Sequence, residues 1–308
     1  MPSKLTVGAL IPNWYMGPPP SGPEVSKYCA AAEDLGFDSL WAIDRLFGAY
    51  PVLEPYTVLT WAAASTKRVR IGSTVLLSAL RNPVWLAKEI ATLDYMSGGR
   101  IDLGISLGGT EQAYTSVGIP MNQRAGRMVE GVKIMKMLWS EDNVTWQGKY
   151  QQLKEATILP KPIQKSIPIL IGAANDNACA RAGRIADGWI ANAFSTPDQV
   201  KQRWQKVQDG ARAVGRDTSK LTCSKLLYLW VDDNEEKAKK IAMDFYQPQY
   251  PTIKVENFMA CGPADKCVKF IQAYLDAGVT NIILGPTGMD IGQLERIKKE
   301  IVPGLGAL

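Results

Sequence analysis

Eight short apolar runs recur along this chain, each followed by a stretch of helical character, with no break in the alternation. The runs are Leu5–Ile11, Ser39–Ile43, Arg70–Leu76, Ile101–Ile105, Ile167–Ile171, Gly188–Ala191, Leu221–Val231 and Val279–Leu284. Strands that alternate with helices are read as βαβ units, and such units build parallel sheets. Eight of them are the count for a (β/α)8 TIM barrel, with a doubly wound open sheet as the competing arrangement. The fourth unit shows the punctuation most plainly. A helix opening at Asn82-Pro83 runs to Met96 and meets Gly98-Gly99; Arg100 then leads the strand, which ends in the small residues Ser106, Gly108 and Gly109. Proline in a first helical turn gives up an N–H that has no partner there, and glycine at the other end allows a left-handed reversal. Glycines just beyond a strand let a ligand approach bare backbone.

The 308 residues suit a single barrel domain over 1–308, with two stretches left over. Residues 141–166 contain a hairpin around Gly148, and 247–262 are irregular; both are expected as insertions at the C-terminal mouth, where sites in such barrels are built.

Composition removes whole classes of chemistry. The chain has no histidine, so Ser-His-Asp and Cys-His catalysis and every histidine-based metal site are excluded. Its five cysteines, Cys29, Cys179, Cys223, Cys261 and Cys267, form no CxxC pair, which argues against a disulfide framework and a thiolate zinc site; no metal is expected. A net charge of +5 without a block of basic residues gives no footprint for nucleic acid and mildly favours a small anionic ligand. Leu5 to Pro12 is too short for a signal-peptide core and no run of about 18 apolar residues follows, so a soluble, cytoplasmic protein without membrane contact is expected.

Four segments in order resemble the bacterial luciferase-like family of flavin and deazaflavin enzymes. They are Leu35-Gly-Phe-Asp-Ser-Leu-Trp-Ala-Ile-Asp-Arg-Leu-Phe47, Thr92-Leu-Asp94 through Gly104, Pro168-Ile-Leu-Ile-Gly-Ala-Ala174, and Ala186-Asp-Gly-Trp189. The resemblance implies a (β/α)8 barrel, a homodimer, and FMN or coenzyme F420 at the C-terminal mouth. The Asp44-Arg-Leu-Phe47 wording, with Pro51-Val-Leu-Glu-Pro55 and Leu80-Arg-Asn-Pro83, is most similar to the deazaflavin-dependent branch. It implies an oxidoreductase that passes a hydride between F420 and a small organic substrate. An FMN-dependent monooxygenase is the alternative, and a barrel that binds such a ligand without turnover is a third reading.

Site residues follow from the same likeness. Gly172, Ala173, Ala174 and Asn175 end one strand and open a helix, where unpaired N–H groups and the helix dipole favour phosphate; Asn175 either contacts the ligand or caps the helix. Ser73, Thr74 and Val75 match the strand end that in relatives bulges against the flavin ring, often with a cis Thr74–Val75-type bond. Gly108 leaves backbone bare beside it, and Arg124, opening the helix 124–139, is a candidate for the phosphate. Arg127 and Glu130 are spaced for an (i, i+3) pair on that helix.

Relatives commonly carry Asp-His where this chain has Asp44-Arg45. Arginine stays cationic, so Arg45 is no general base; it is a candidate to stabilise negative charge, to orient an anionic substrate, or to pair with Asp44 at the rim. Related sugar dehydrogenases place a glutamate soon after the fourth strand; here that match is Gly109, and Glu111 is read as a solvated first-turn residue. Of the aromatic residues near the loops (Trp14, Tyr15, Trp41, Phe47, Tyr50, Trp189), Trp41 is expected in the core and Trp14 and Tyr15 at the ligand.

Overall fold

A computed structural model describes residues 5–48 and 50–306. Eleven strands lie among them: β1 (Thr6–Leu10), β2 (Ser39–Ala42), β3 (Arg70–Ser73), β4 (Ile101–Ile105), β5 (Val144–Gln147), β6 (Gln152–Ala156), β7 (Ile169–Ala173), β8 (Gly188–Ala191), β9 (Thr222–Val231), β10 (Met259–Gly262) and β11 (Asn281–Pro286). The helices are α1 (Gly22–Asp34), α2 (Pro55–Ala64), α3 (Pro83–Ser97), α4 (Glu111–Ser116), α5 (Arg124–Ser140), α6 (Asp176–Ile185), α7 (Pro197–Arg212), α8 (Glu235–Tyr246), α9 (Ala264–Asp276) and α10 (Ile291–Arg296). Parallel pairing runs β9-β11-β1-β2-β3-β4-β7-β8, and β8 pairs back onto β9, closing an eight-stranded parallel barrel. The open-sheet alternative is thereby excluded.

Helix boundaries follow local chemistry. Ser21 and Glu24 form a reciprocal capping box at the start of α1, and the Asn82 side chain caps α3 ahead of Pro83. Gly98 and Gly99 close α3 at φ +76° and +81°, values that side chains with a Cβ rarely adopt. Arg100 then ties the floor of the barrel together. Its buried guanidinium donates to the carbonyls of Ala63, Thr66, Val69 and Ser97 and to the Thr66 hydroxyl, joining the ends of α2 and α3 to the start of β4.

The core has two layers. Between strands and helices lies the larger, containing Ile71, Leu103, Ile169, Trp189 and Leu227. Inside the barrel lie Leu10, Trp41, Ile43, Leu170, Ile190, Leu226, Tyr228 and Ile283. Trp41 is buried there as expected, and it fills the interior because the neighbouring strand supplies no side chain: a Cβ at Gly72 would stand 2.4 Å from its ring.

Strand β3 ends at Ser73, earlier than the apolar run to Leu76 implies. The chain departs from the ladder at the Thr74–Val75 peptide, which is cis, and Leu76 returns to bridge Ile105. At ten residues β9 is the longest strand. On one edge Ser224–Leu229 pair with β11; on the other Thr222–Lys225 pair with β8 and Tyr228–Val231 with β10, so that Trp230 and Val231 rise past the ring.

The expectation that both insertions sit at the mouth is corrected for 141–166. Its hairpin, β5–β6, lies along α5. Glu130 of that helix accepts N–H groups from Lys149, Tyr150 and Gln151 and the Trp146 indole N–H. The chain then passes beneath the barrel, where Gln164 bonds Asp94 and the Ile101 carbonyl at the start of β4. The Arg127–Glu130 pair does not form, because the hairpin backbone takes the carboxylate; Arg127 donates to Gln123 and lies over the Tyr150 ring.

Candidate active site at the barrel mouth

The C-terminal ends of the strands surround a cavity of about 750 Å³. That volume lies within the range of small-molecule and cofactor sites. Thr74, Val75, Gly108, Arg124, Gly172, Ala173, Ala174, Asn175, Asp44 and Arg45 all line it, so ten of the eleven residues expected from the sequence converge. Ser73 is the exception. It is buried in the wall of the barrel and its hydroxyl donates to the Gly104 carbonyl at 2.7 Å, which turns it away from the opening.

One side of the cavity is cationic. The β7–α6 turn presents Gly172–Asn175; a Cβ at Gly172 would stand 3.2 Å from the Val75 methyls and 3.4 Å from Ser106, so the glycine keeps this wall open. Asn175 is spent on capping: its Oδ1 accepts the Ala178 N–H. The first N–H groups of α6, at Asp176 and Asn177, have no carbonyl to reach within the helix. Arg124 from the start of α5 and Arg181 from the second turn of α6 join the lining here. Neither forms an ion pair among the described residues. Burial and the neighbouring Arg184 lower the Arg181 pKa, as for a cation short of counter-charge. The sequence reading missed Arg181, which sits among ordinary helical arginines.

Across the barrel the lining is aromatic: Phe47, Phe194, Tyr228 and Tyr250. Tyr250 comes from the second insertion, which does reach the mouth. Trp14 and Tyr15 do not line the cavity, contrary to expectation. Asn13 pins the chain to the Ile43 and Leu53 carbonyls, and Trp14 is buried beneath the aromatic wall, 5.3 Å from Tyr228 and 5.4 Å from Tyr246 between ring centres. Trp189 is likewise buried, and its indole N–H holds the Ala173 carbonyl at 3.0 Å, fixing the β7–α6 turn from behind.

Asp44 and Arg45 do not pair. The Asp44 carboxylate accepts the Leu77 N–H at 2.9 Å and the Arg81 guanidinium at 3.2 Å. Burial lifts its pKa, and those two partners offset part of the rise. Arg45 instead lies over the Tyr250 ring, 5.8 Å from its centre. Gly109 lines the cavity, and Glu111 is exposed in the first turn of α4, as expected.

Lys225 supports this architecture from behind. It is fully buried on β9 against the Tyr274 ring, and its ammonium donates 2.7 Å bonds to the Asn192 and Ala193 carbonyls in the loop that lines the cavity. Burial without a carboxylate partner pushes its pKa well below the ordinary lysine range. All five cysteines are free, no group of metal-ligating side chains is found among the described residues, and no described helix is long and apolar enough to cross a membrane.

Fold and cavity together define a (β/α)8 barrel protein with a ligand site at its C-terminal mouth, cationic on one side and aromatic on the other. A family model described as luciferase-like monooxygenase matches residues 7–257, and the chain belongs to that family. It is similar to the F420-dependent glucose-6-phosphate dehydrogenase of Microbacterium testaceum, 31% identical over 318 residues that cover 92% of this chain and 93% of that protein. The F420-dependent glucose-6-phosphate dehydrogenase of Kineococcus radiotolerans is 27% identical over 315 residues, 91% and 92% of the two chains. Among solved structures, an F420-dependent secondary alcohol dehydrogenase in complex with an F420-acetone adduct shares the fold with a TM-score of 0.87 at 24% identity, covering 98% of this chain and 99% of that one. Monooxygenase RslO1 from Streptomyces bottropensis does so at 0.86 and 22%, covering 97% and 99%.

Proposed function

We propose that this protein is a coenzyme F420-dependent oxidoreductase that transfers a hydride between the deazaflavin and a small organic substrate. The observation that carries the reading is the cationic side of the cavity. Bare backbone at Gly172–Ala174, the free N–H groups at the start of α6, and the unpaired Arg124 and Arg181 fit a phosphate. Val75 and Thr74 would back the ring and Gly108 would leave room beside it. The full-length relatives whose names carry F420 support the choice of cofactor. The bound deazaflavin supplies the hydride chemistry. The protein's own residues bind the phosphate, orient the ring and keep water from the reacting face. A luciferase-like monooxygenase using FMN is the second reading, favoured by the family model's description.

The substrate need not be a sugar phosphate. Arg45 stands where relatives commonly carry histidine, and Gly109 where the sugar dehydrogenases place glutamate, so this chain lacks both of those titrating groups. Fluorescence titration of the purified protein with F420 and with FMN tests the reading. Micromolar or tighter F420 binding with much weaker FMN binding is expected; the reverse order would make it an FMN enzyme.

A further inference from the structure

We propose that Arg45, with the Tyr250 hydroxyl beside it, forms a site for a negatively charged oxygen group on the substrate, a carboxylate or enolate. The inference deepens the reading above and rests on it for the location of the cofactor.

Charge balance is the first ground. Among the described residues, Asp44 is the one acidic residue lining the cavity, against three arginines, Arg45, Arg124 and Arg181. Asp44 is committed to Arg81 and the Leu77 N–H, so it neutralises none of the three. Arg124 and Arg181 stand together on the β4–β7 side, where a phosphate would take them. Arg45 follows β2, and its neighbours Tyr228 and Tyr250 come from β9 and beyond. In the barrel order β9-β11-β1-β2 these residues span the wall opposite β4 and β7. One phosphate cannot serve both ends.

Surroundings are the second ground. Phe47, Phe194, Tyr228 and Tyr250 line the cavity beside Arg45, Phe47 exposed at the rim and Tyr228 buried within, so an anion paired with this cation would rest its remaining atoms on aromatic surface. No carboxylate of the described residues pairs with Arg45. The side chain is also held in place. Its guanidinium rests on the Tyr250 ring, and a Cβ at Gly48 would stand 2.6 Å from its Cδ, so the stem lies folded against bare backbone. The Tyr250 ring lies under the guanidinium; burial raises the pKa of its hydroxyl, while Tyr228 and Arg45 act to lower it. Tyr250 is thus a neutral donor next to a fixed cation, the donor set that binds one anionic oxygen and orients the rest of the molecule against aromatic walls.

The test uses benzoate and its neutral counterpart benzamide as probes, titrated calorimetrically into the F420-loaded protein. Benzoate is expected to bind at least tenfold more tightly than benzamide. Arg45→Gln should erase that preference with F420 affinity unchanged, and Arg45→Lys should retain part of it. Arg124→Gln should weaken F420 and keep the preference for benzoate. Equal binding of the two probes, no benzoate binding at millimolar concentration, or a preference that survives Arg45→Gln would overturn the proposal. Absent F420 binding overturns the cofactor reading separately. The same two probes are then titrated, without F420, into an Arg124→Gln/Arg181→Gln background, where Arg45 is the remaining arginine among the described lining residues and the same outcomes decide. Melting temperatures of all variants guard against misfolding.

Discussion

Arg181 gives the sharpest test of the proposed phosphate end. It belongs to no ion pair among the described residues, so nothing else in the protein depends on its charge, and Arg181→Gln removes only what it gives the ligand. A hydrogen bond to a charged group contributes about 1.5–3 kcal/mol. The residue is half-buried, so solvent screening favours the lower part of that range. Arg124 and the first N–H groups of α6 remain in the variant, and they keep binding from collapsing. A loss of about 1.5–2 kcal/mol, or roughly 10–30-fold in Kd, is the expected result. The Arg124→Gln/Arg181→Gln double variant should lose about 3–4 kcal/mol, or roughly 150–1000-fold. The assay is equilibrium fluorescence titration at low salt, with F420 and, in parallel, the phosphate-free ribityl deazaflavin. Affinity for the ribityl compound should stay within about twofold of wild type if Arg181 serves the phosphate alone. A loss of less than about threefold for F420, or an equal loss for the ribityl compound, refutes the assignment.

Four further outcomes follow from the geometry. Gly172→Val should weaken F420 binding by more than tenfold while the protein stays folded, since the new side chain would press on the Val75 methyls and enter the cavity; the overpacking itself should cost about 1–3 kcal/mol in urea unfolding. Lys225→Met strands the Asn192 and Ala193 carbonyls and should cost about 2–4 kcal/mol near pH 9. Because burial lowers the Lys225 pKa, the unfolded chain binds the extra proton between the folded value and about 10.4, so the wild type loses stability as pH falls through that window and the variant does not; urea unfolding at several pH values should show the gap narrowing towards neutrality, and a constant gap counts against it. Glu130→Ala frees the hairpin tip, with an expected cost of about 1.5–3 kcal/mol and new protease cleavage near 148–151, whereas an unaltered digestion pattern contradicts the anchoring role. Light scattering should give twice the monomer mass, in keeping with the exposed Trp61, Trp85 and Met96 side chains, and a monomer at micromolar concentration would exclude the homodimer.

The barrel strands were legible because each is a short apolar run closed by glycine, proline or a cap, and a parallel strand buried on both faces needs little else. Boundaries drifted where tertiary geometry intervened. β3 stops at Ser73 although the apolar run continues, and β10 was invisible because Met259–Gly262 is a strand only by pairing with the raised end of β9. In the site, Gly108 and Gly172–Ala174 announced themselves as missing side chains at strand ends. Arg181 did not, since its aim towards the mouth depends on where α6 begins; its spacing of six from the Asn175 cap was the available clue. Trp14 was misread because a loop aromatic looks free until the Asn13 and Val52 contacts close the loop over it. Of the three roles open to Arg45, pairing with Asp44 is not the one seen, because adjacency in sequence says nothing of Arg81, which comes from the segment following the next strand and takes the carboxylate.

The length of β9 has an evolutionary consequence. Its last two residues, Trp230 and Val231, run past the pairing with β11, and the segment that follows, from α8 through Tyr250 to β10, is an excursion whose two ends meet side by side at Val231 and Gly262. An excursion with fixed, adjacent ends changes length and sequence without disturbing the ring, much as a hairpin loop does. The cationic end of the cavity belongs to the ring, on β4, β7 and their helices; part of the aromatic end belongs to the excursion. On the proposed reading, selection acting on residues 232–258 would alter what is recognised while leaving the cofactor apparatus alone, and grafting that stretch from a relative would be the economical route to a new specificity on this barrel.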